Sequence, residues 1–330
     1  MTADLRWGVL STARINDALL FAGAAEFVAV ASRTPERAAA YAREKGIPKA
    51  YGSYDALLAA GDVDAVYISL PNGLHIPWSI RALEAGKHVL CEKPLSRRAA
   101  DVAEAYDVAG ARGLVFAEAL MWRHHPQVAQ AQQLIADGAV GELKLIRARF
   151  SGPVAAAGDP RLDRAMDGGS LMDVGCYCVS GARTLAGAEP LTVHAERICG
   201  GDGDVDLVLT GLLRFPDDVL ASIECGFGLA AQSGLEAVGD EGVLRLLDPW
   251  HAWNPGIEVA RGGRDVERIE PSQANHYALQ LRDFAAAVAG DRAPLLGRAD
   301  ALGQARAIEA LYAAAEGGDG GVAVARDQAC

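Results

Sequence analysis

The sequence predicts an α/β chain in two parts: an N-terminal doubly wound parallel sheet, then an α+β part built on a large, mostly antiparallel sheet. Three observations lead there. At 330 residues the chain exceeds the usual size of one hydrophobic core. Short β-type runs alternate with helical segments through its first third, which is the pattern of crossover connections between parallel strands. Beyond that, β-type runs follow one another with one long helical interruption, as in antiparallel sheets.

Taken in order, strands are expected over residues 5–10, 27–32, 65–70, 88–91 and 114–118, where apolar and β-branched residues cluster between turn signals. The amphipathic segments 35–44, 55–60, 76–85 and 97–109 are long enough for right-handed crossovers. A helix over 127–136 opens the second part, so the expected domains are 1–122 and 123–330. Strands follow at 143–151, 191–198, 207–215, 220–227 and 235–247, with helices at 169–185, 275–288 and 300–315. The glycine-rich tail 317–330 carries little apolar surface apart from Val322 to Val324 and is expected to be partly disordered or to add one weak edge strand.

A net charge of −12 argues against nucleic acid, whose phosphates call for a basic face. No apolar run approaches the length of a membrane span, and the N-terminus lacks the basic-then-apolar order of a secretory signal, so a cytoplasmic protein is expected. The six cysteines, Cys91, Cys176, Cys178, Cys199, Cys225 and Cys330, are scattered as reduced thiols would be. Cys176 and Cys178 lack a second pair of ligands at a zinc spacing, which favours packing over metal binding.

A strand running straight into a helix near the N-terminus is where a dinucleotide-binding loop belongs, with glycines letting the backbone approach a pyrophosphate at the helix start. Here the G-x-G-x-x-G/A positions read Ser11, Ala13 and Asn16, so the glycines are missing. Small residues still leave room for a phosphate, and the hydroxyls of Ser11 and Thr12 offer donors. Ser11-Thr12-Ala13-Arg14-Ile15 is therefore the candidate phosphate loop, with an ordinary βα turn as the alternative. At the end of the second strand, where a carboxylate would bind the ribose 2′-hydroxyl of NAD, the chain has Ser32-Arg33-Thr34. A guanidinium suits a 2′-phosphate, so NADP is expected over NAD, with Arg37 grouped at the same edge. Ser69-Leu70-Pro71-Asn72 and His75 follow the third expected strand and supply a wall on the nicotinamide side.

Glu92-Lys93-Pro94 closes another strand at that carboxyl edge, and the proline keeps Lys93 out of helical geometry. Taken alone, a surface lysine paired with Glu92 is the ordinary explanation. Two motifs together go further. Glu92-Lys93-Pro94 resembles the signature of the Gfo/Idh/MocA family (glucose-fructose oxidoreductase, inositol dehydrogenase and relatives), and Gly168-Gly169-Ser170-Leu171-Met172-Asp173-Val174-Gly175-Cys176-Tyr177 resembles its second-domain motif, in matching order and spacing. Arg6-Trp7-Gly8-Val9-Leu10, Ile47-Pro48-Lys49-Ala50-Tyr51-Gly52-Ser53-Tyr54 and Glu118-Ala119-Leu120-Met121-Trp122-Arg123 are similar to the branch holding dimeric dihydrodiol dehydrogenase and NADP-dependent D-xylose dehydrogenase. Many members carry glycines in the first loop, and many place a histidine where this chain has Tyr177; the dihydrodiol dehydrogenase branch uses tyrosine there.

The resemblance implies a Rossmann-like first domain, and an NAD(P)-dependent oxidoreductase acting on CH–OH groups of a sugar or cyclic polyol. It also implies a homodimer or higher homo-oligomer paired through the second-domain sheet. Hydride transfer at a secondary alcohol needs a group that carries the hydroxyl proton. Tyr177 is the candidate, with the Lys93 cation lowering the cost of its phenolate. Asp173, four residues before Tyr177 and so on the same helical face, either orients substrate hydroxyls or tunes Lys93. Arg123 and His276 are weaker candidate substrate contacts, and no metal is expected. The rivals are a ketoreductase of deoxysugar biosynthesis running the same chemistry backwards, a catalytically silent NADP sensor, and a hydrolase that uses NAD transiently.

Overall fold

The computed structural model describes residues 5–153, 158–200, 204–262, 265–317 and 321–325. The chain divides into two compact units: residues 1–96, 100–124 and 275–302 form the first, and residues 97–99, 125–274 and 303–330 the second.

In chain order the first unit begins with β1 (Arg6–Leu10), α1 (Asn16–Leu20), β2 (Glu26–Ala31), α2 (Pro35–Lys45), β3 (Lys49–Tyr51) and α3 (Tyr54–Leu58). It continues through β4 (Ala65–Ile68), α4 (His75–Glu84), β5 (His88–Glu92), α5 (Ala99–Ala111) and β6 (Phe116–Ala119). The six strands run parallel in the order β3-β2-β1-β4-β5-β6. The strand order reverses between β1 and β4, and such a switch point is where doubly wound sheets open a crevice at their carboxyl edge. Both faces of the sheet are covered, so its central strands are continuous apolar runs: every residue of β4 is fully buried. Local signals set the helix ends. Thr34 caps α2 by accepting from Arg37 N–H, Pro35 fills the first turn, and Gly46 closes the helix in the left-handed region at φ 70°.

The second unit holds α6 (Pro126–Ala136), β7 (Leu143–Gly152), one turn of π-helix at Leu171–Gly175, and α7 (Cys176–Ala186). Then come β8 (Thr192–Gly200), β9 (Val205–Arg214), β10 (Leu220–Phe227), β11 (Gln232–Gly239), β12 (Gly242–Leu246), β13 (Ile257–Arg261) and β14 (Glu267–Ile269). The chain closes with α8 (His276–Val288), α9 (Arg298–Gly317) and β15 (Val322–Ala323). The nine strands lie in the order β14-β13-β12-β11-β7-β10-β9-β8-β15, antiparallel except where β7 and β10 run parallel. Helix α7 is buried at every residue from Cys176 to Leu185 and lies close against the sheet. A Cβ on Gly175 would stand 2.6 Å from Cys225 Sγ, and one on Gly181 would stand 2.8 Å from the Trp250 ring.

Several expectations change. The strand expected over 235–247 is a hairpin, β11 and β12, folded at Asp240 and Glu241. Strands β3, β13 and β14 were not expected. Residues 275–302 fall in the first unit instead of the second part. The reason is packing: Leu281 and Phe284 of α8 join the core of Trp7, Val9, Val30 and Tyr67, with the Phe284 and Trp7 rings 5.1 Å apart. In the tail, Val322 pairs with Val193 as an edge strand, while residues 318–320 and 326–330, Cys330 included, lie outside the described residues. Among the described residues no helix is long and apolar enough to cross a membrane, and no group of three or more His, Cys, Asp or Glu is placed to hold a metal ion. Cys91, Cys176, Cys178 and Cys225 are buried thiols and Cys199 is exposed.

Candidate active site

The first unit gathers its candidate residues at the carboxyl ends of β1, β2, β4 and β5. After β1 the chain turns at Ser11 with φ 138°, a conformation that suits glycine. The Ser11 hydroxyl faces inward onto Ser69, at 2.7 Å from its Oγ, and accepts from Ala13 N–H. Thr12 faces the other way, where its hydroxyl accepts from Arg37 Nε at 2.7 Å. Arg14 and Ile15 are exposed, and α1 has only five residues, so the dipole of a long helix is not available to a phosphate here.

At the end of β2, Ser32 is buried and Arg33 exposed. The Arg33 and Arg37 cations both act on the Tyr54 phenol, where burial dominates and raises the pKa. Thr12, Arg33, Thr34, Arg37 and Tyr54 therefore share one corner.

Ser69-Leu70-Pro71-Asn72 leaves β4 and enters α4 through a single turn of 3-10 helix. His75, 1 % exposed, has Nδ1 at 2.8 Å from the carbonyl of Pro94 and Nε2 at 2.7 Å from that of Leu70. Its pKa falls to about 4, since burial, helped by the Lys93 cation, outweighs the two carbonyls. Its ring thus ties the loop after β4 to the loop after β5.

Lys93 sits at the end of β5, half-buried, in a segment fixed at every residue. Tyr67 Oη donates to Glu92 Oε1, and Lys93 N–H donates to Glu92 Oε2 at 3.2 Å. Next along the chain, the Pro94 carbonyl meets His75, Leu95 N–H donates to Glu118 Oε1 at 3.2 Å, and Ser96 Oγ donates to Asp101 at 3.0 Å. Tyr277 of α8 lies within electrostatic reach: burial and Glu92 raise its pKa, and Lys93 opposes them. Of the weaker candidates, Arg123 holds Asp300 in an ion pair of 3.1 Å, and His276 is buried with its ring 4.7 Å from that of Tyr277.

In the second unit, Tyr177 stands on the first turn of α7, 7 % exposed, with its ring edge-on to Phe150 at 5.4 Å and 6.0 Å from Trp250. His251 continues the aromatic group against Phe150 and stacks on exposed Trp253 at 4.5 Å. Asp173 lies on the π-helical turn, a widened turn of a kind common at functional sites, and its Oδ2 is 3.4 Å from Arg161. Arg161 is itself held by two bonds to Asp159. Beneath this turn, Asp206 accepts from Ser170 Oγ, Leu171 N–H and Tyr312 Oη at 2.7 to 2.8 Å.

Arg161 and Asp206 were not singled out in the sequence, and Asn16 and Glu118 were given no functional role there. For Asp206 a signal was present: it is a carboxylate inside the apolar alternation of β9, and a buried charge needs partners. Glu118 carries no local signal, because its partner Leu95 lies 23 residues away along the chain.

A parallel sheet whose strand order reverses between β1 and β4, followed by a unit built on a large, mostly antiparallel sheet, is an architecture that nicotinamide-dependent oxidoreductases use. The chain belongs to the Gfo/Idh/MocA family: residues 8–120 match the oxidoreductase family with NAD-binding Rossmann fold, and residues 128–245 the GFO/IDH/MocA C-terminal domain. It is 37% identical over 325 residues to D-xylose 1-dehydrogenase (NADP(+)) 2 of Haloferax volcanii, covering 95% of this chain and 98% of that one. Against the trans-1,2-dihydrobenzene-1,2-diol dehydrogenase of Bos taurus it is 33% identical over 280 residues, 83% of this chain and 82% of the other. A 3-ketoreductase from Actinomadura kijaniata, solved with NADP and TDP-benzene, superposes with a TM-score of 0.88 at 33% identity, covering 94% of this chain and 97% of that one.

Proposed function

We propose that this protein is an NADP-dependent dehydrogenase/reductase that moves a hydride between the nicotinamide and a hydroxyl or carbonyl carbon of a sugar or cyclic polyol. The observation that carries the reading is the anchoring of Lys93, whose neighbours Glu92, Pro94, Leu95 and Ser96 are tied to Tyr67, His75, Glu118 and Asp101 of four different elements, unlike the surroundings of an ordinary surface lysine. The cofactor fits the first unit. The turn after β1 adopts a glycine-like backbone, and the corner of Thr12, Arg33, Thr34 and Arg37 supplies two guanidinium groups and two hydroxyls for a 2′-phosphate.

When bound, the nicotinamide supplies or accepts the hydride. Tyr177 carries the proton of the substrate oxygen as general acid/base, and Lys93 tunes it as a cation that lowers the cost of a phenolate. Asp173, oriented by Arg161, holds a neighbouring hydroxyl of the substrate. The resemblance to the 3-ketoreductase favours a second reading, reduction of a keto sugar by the same residues. A homodimer through the outer face of the nine-stranded sheet accompanies either reading, because that face leaves Ile198 65%, Leu212 56% and Leu220 49% exposed.

A panel of pentoses, hexoses, anhydrosugars, inositols and dihydrodiols, followed by NADPH formation and in reverse with keto sugars, tests the reading. Turnover with at least one class is expected, and no turnover in either direction with any of them overturns it. With the best substrate, Tyr177→Phe and Lys93→Met should each lower kcat by about 10²- to 10⁴-fold while circular dichroism stays that of the wild type. Wild-type turnover by either variant removes that residue from the mechanism.

A further inference from the structure

The chain lacks the glycines of a dinucleotide loop, yet it turns at Ser11 with φ 138°. Outside glycine such a backbone persists only when its surroundings hold it. Three buried polar residues surround it: Ser11, Asn16 and Ser69 are 8%, 0% and 6% exposed.

Their hydrogen atoms have one consistent placement. Asn16 Nδ2 donates to the Ser11 carbonyl at 3.1 Å, an acceptor that would repel the amide oxygen, so Asn16 Oδ1 faces Ser69. That oxygen has no proton, and the Ser69 hydroxyl therefore donates to it at 2.6 Å. With the Ser69 proton spent, Ser11 is the donor in the 2.7 Å contact between the two hydroxyls. The Ser69 carbonyl lies 3.1 Å from the same Ser11 Oγ. Ala13 N–H then donates to Ser11 Oγ at 3.0 Å. The bonds run from Ala13 through Ser11 and Ser69 to Asn16 and back to the Ser11 carbonyl.

We infer that this closed ring of Ser11, Ser69 and Asn16 replaces the glycine fingerprint: it holds the turn after β1 in a glycine-like conformation and fastens it to the end of β4, so that both edges of the switch point are positioned for the cofactor. Ser11 and Ser69 are then positioning residues whose protons are committed within the protein, and phosphate contacts fall to Thr12 and the arginine corner. The inference rests on the reading of the first unit as an NADP site.

Calorimetric titration of NADP into the wild type, Ser69→Ala, Ser11→Gly and the double variant tests it, with melting of each protein without cofactor alongside. Ser69→Ala removes two bonds of the ring while the strained turn remains, and should weaken NADP binding about tenfold, the scale of a net hydrogen bond. Glycine adopts the turn unaided, so Ser11→Gly in the Ser69→Ala background should recover about threefold or more of that loss and part of the fall in Tm. A merely destabilised core would instead be weakened further by the second substitution. Ser69→Ala binding within about twofold of the wild type, or a double variant no tighter than Ser69→Ala, overturns the inference. If the wild type itself binds no NADP, the functional reading fails, and the melts still decide the ring: additive losses in Tm refute it, and recovery supports it.

Discussion

Ser11 in the first unit and Gly169 in the second present the same backbone problem, a residue at φ well above zero next to a candidate functional residue, and the chain solves it in two ways. At Ser11 a side chain is kept and a neutral ring of hydroxyls and an amide holds the turn. At Gly169, φ 126°, no side chain fits: a Cβ would stand 2.1 Å from Asp206 Oδ1 and 3.0 Å from Tyr312 Oη. There the holding group is a carboxylate with three donors, and it must come close enough to reach Leu171 N–H. Space, more than backbone angle alone, decides where glycine is indispensable.

The largest expected effect sharpens that contrast. Gly169→Ala has to displace Asp206 while adopting an unfavourable φ, and should cost about 3 kcal/mol or more of stability, read from denaturant unfolding. A loss below about 1 kcal/mol would mean that Asp206 moves freely and that the two turns do not differ. Next comes the carboxylate itself. Asp206→Asn keeps the shape but sets an amide N–H₂ against donors at Ser170, Leu171 or Tyr312. It should cost about 1–3 kcal/mol, and should lower kcat more than it raises KM for NADP, because it supports the turn that bears Asp173. An equal effect on NADP affinity would count against assigning the two turns to separate tasks.

How much of this was visible beforehand follows the range of the interactions. The parallel strands, the capped helix α2 and the position of Lys93 at a strand end come from local pattern, and the structure places them within a few residues of expectation. The missing glycines at 11, 13 and 16 raised the alternative of an ordinary turn, because a three-residue fingerprint cannot report that Ser69, on another strand, closes a ring around it. Asp173 and Tyr177 were expected on one regular helix, whereas Asp173 lies on a π-helical turn joined to α7, a change of pitch that no side-chain spacing announces. The place of α8 in the first unit depends on Phe284 reaching Trp7, a contact between opposite ends of the chain.

A smaller effect separates the arginine corner from the ring. Arg33→Ala should raise KM for NADP about tenfold and leave KM for NAD nearly unchanged, since the lost guanidinium faces only the extra phosphate in the proposed site. Steady-state kinetics with both cofactors measure it. Equal losses for NADP and NAD would move Arg33 from phosphate recognition to general support of the loop.

The last effect concerns acid. In the first unit His75 and His124 are both pushed down to about 4, burial being the leading cause for each. For His75 the Lys93 cation adds to burial and the carbonyls of Pro94 and Leu70 oppose it; for His124 Arg123 and Arg292 add and Asp283 opposes. An unfolded histidine binds its proton near pH 6.5, so between that pH and about 4 the unfolded chain holds protons that the folded one refuses. Stability from these groups is complete above pH 6.5 and is lost as the pH falls toward 4, by on the order of 2 kcal/mol for each histidine by pH 5. Hydrogen exchange compared at pH 7 and pH 5 should show the first unit opening more than the second, and His124→Asn should reduce that difference. If the second unit loosens first, the acid-sensitive groups lie outside the first unit, and the division between the two ways of holding a turn would have to be redrawn.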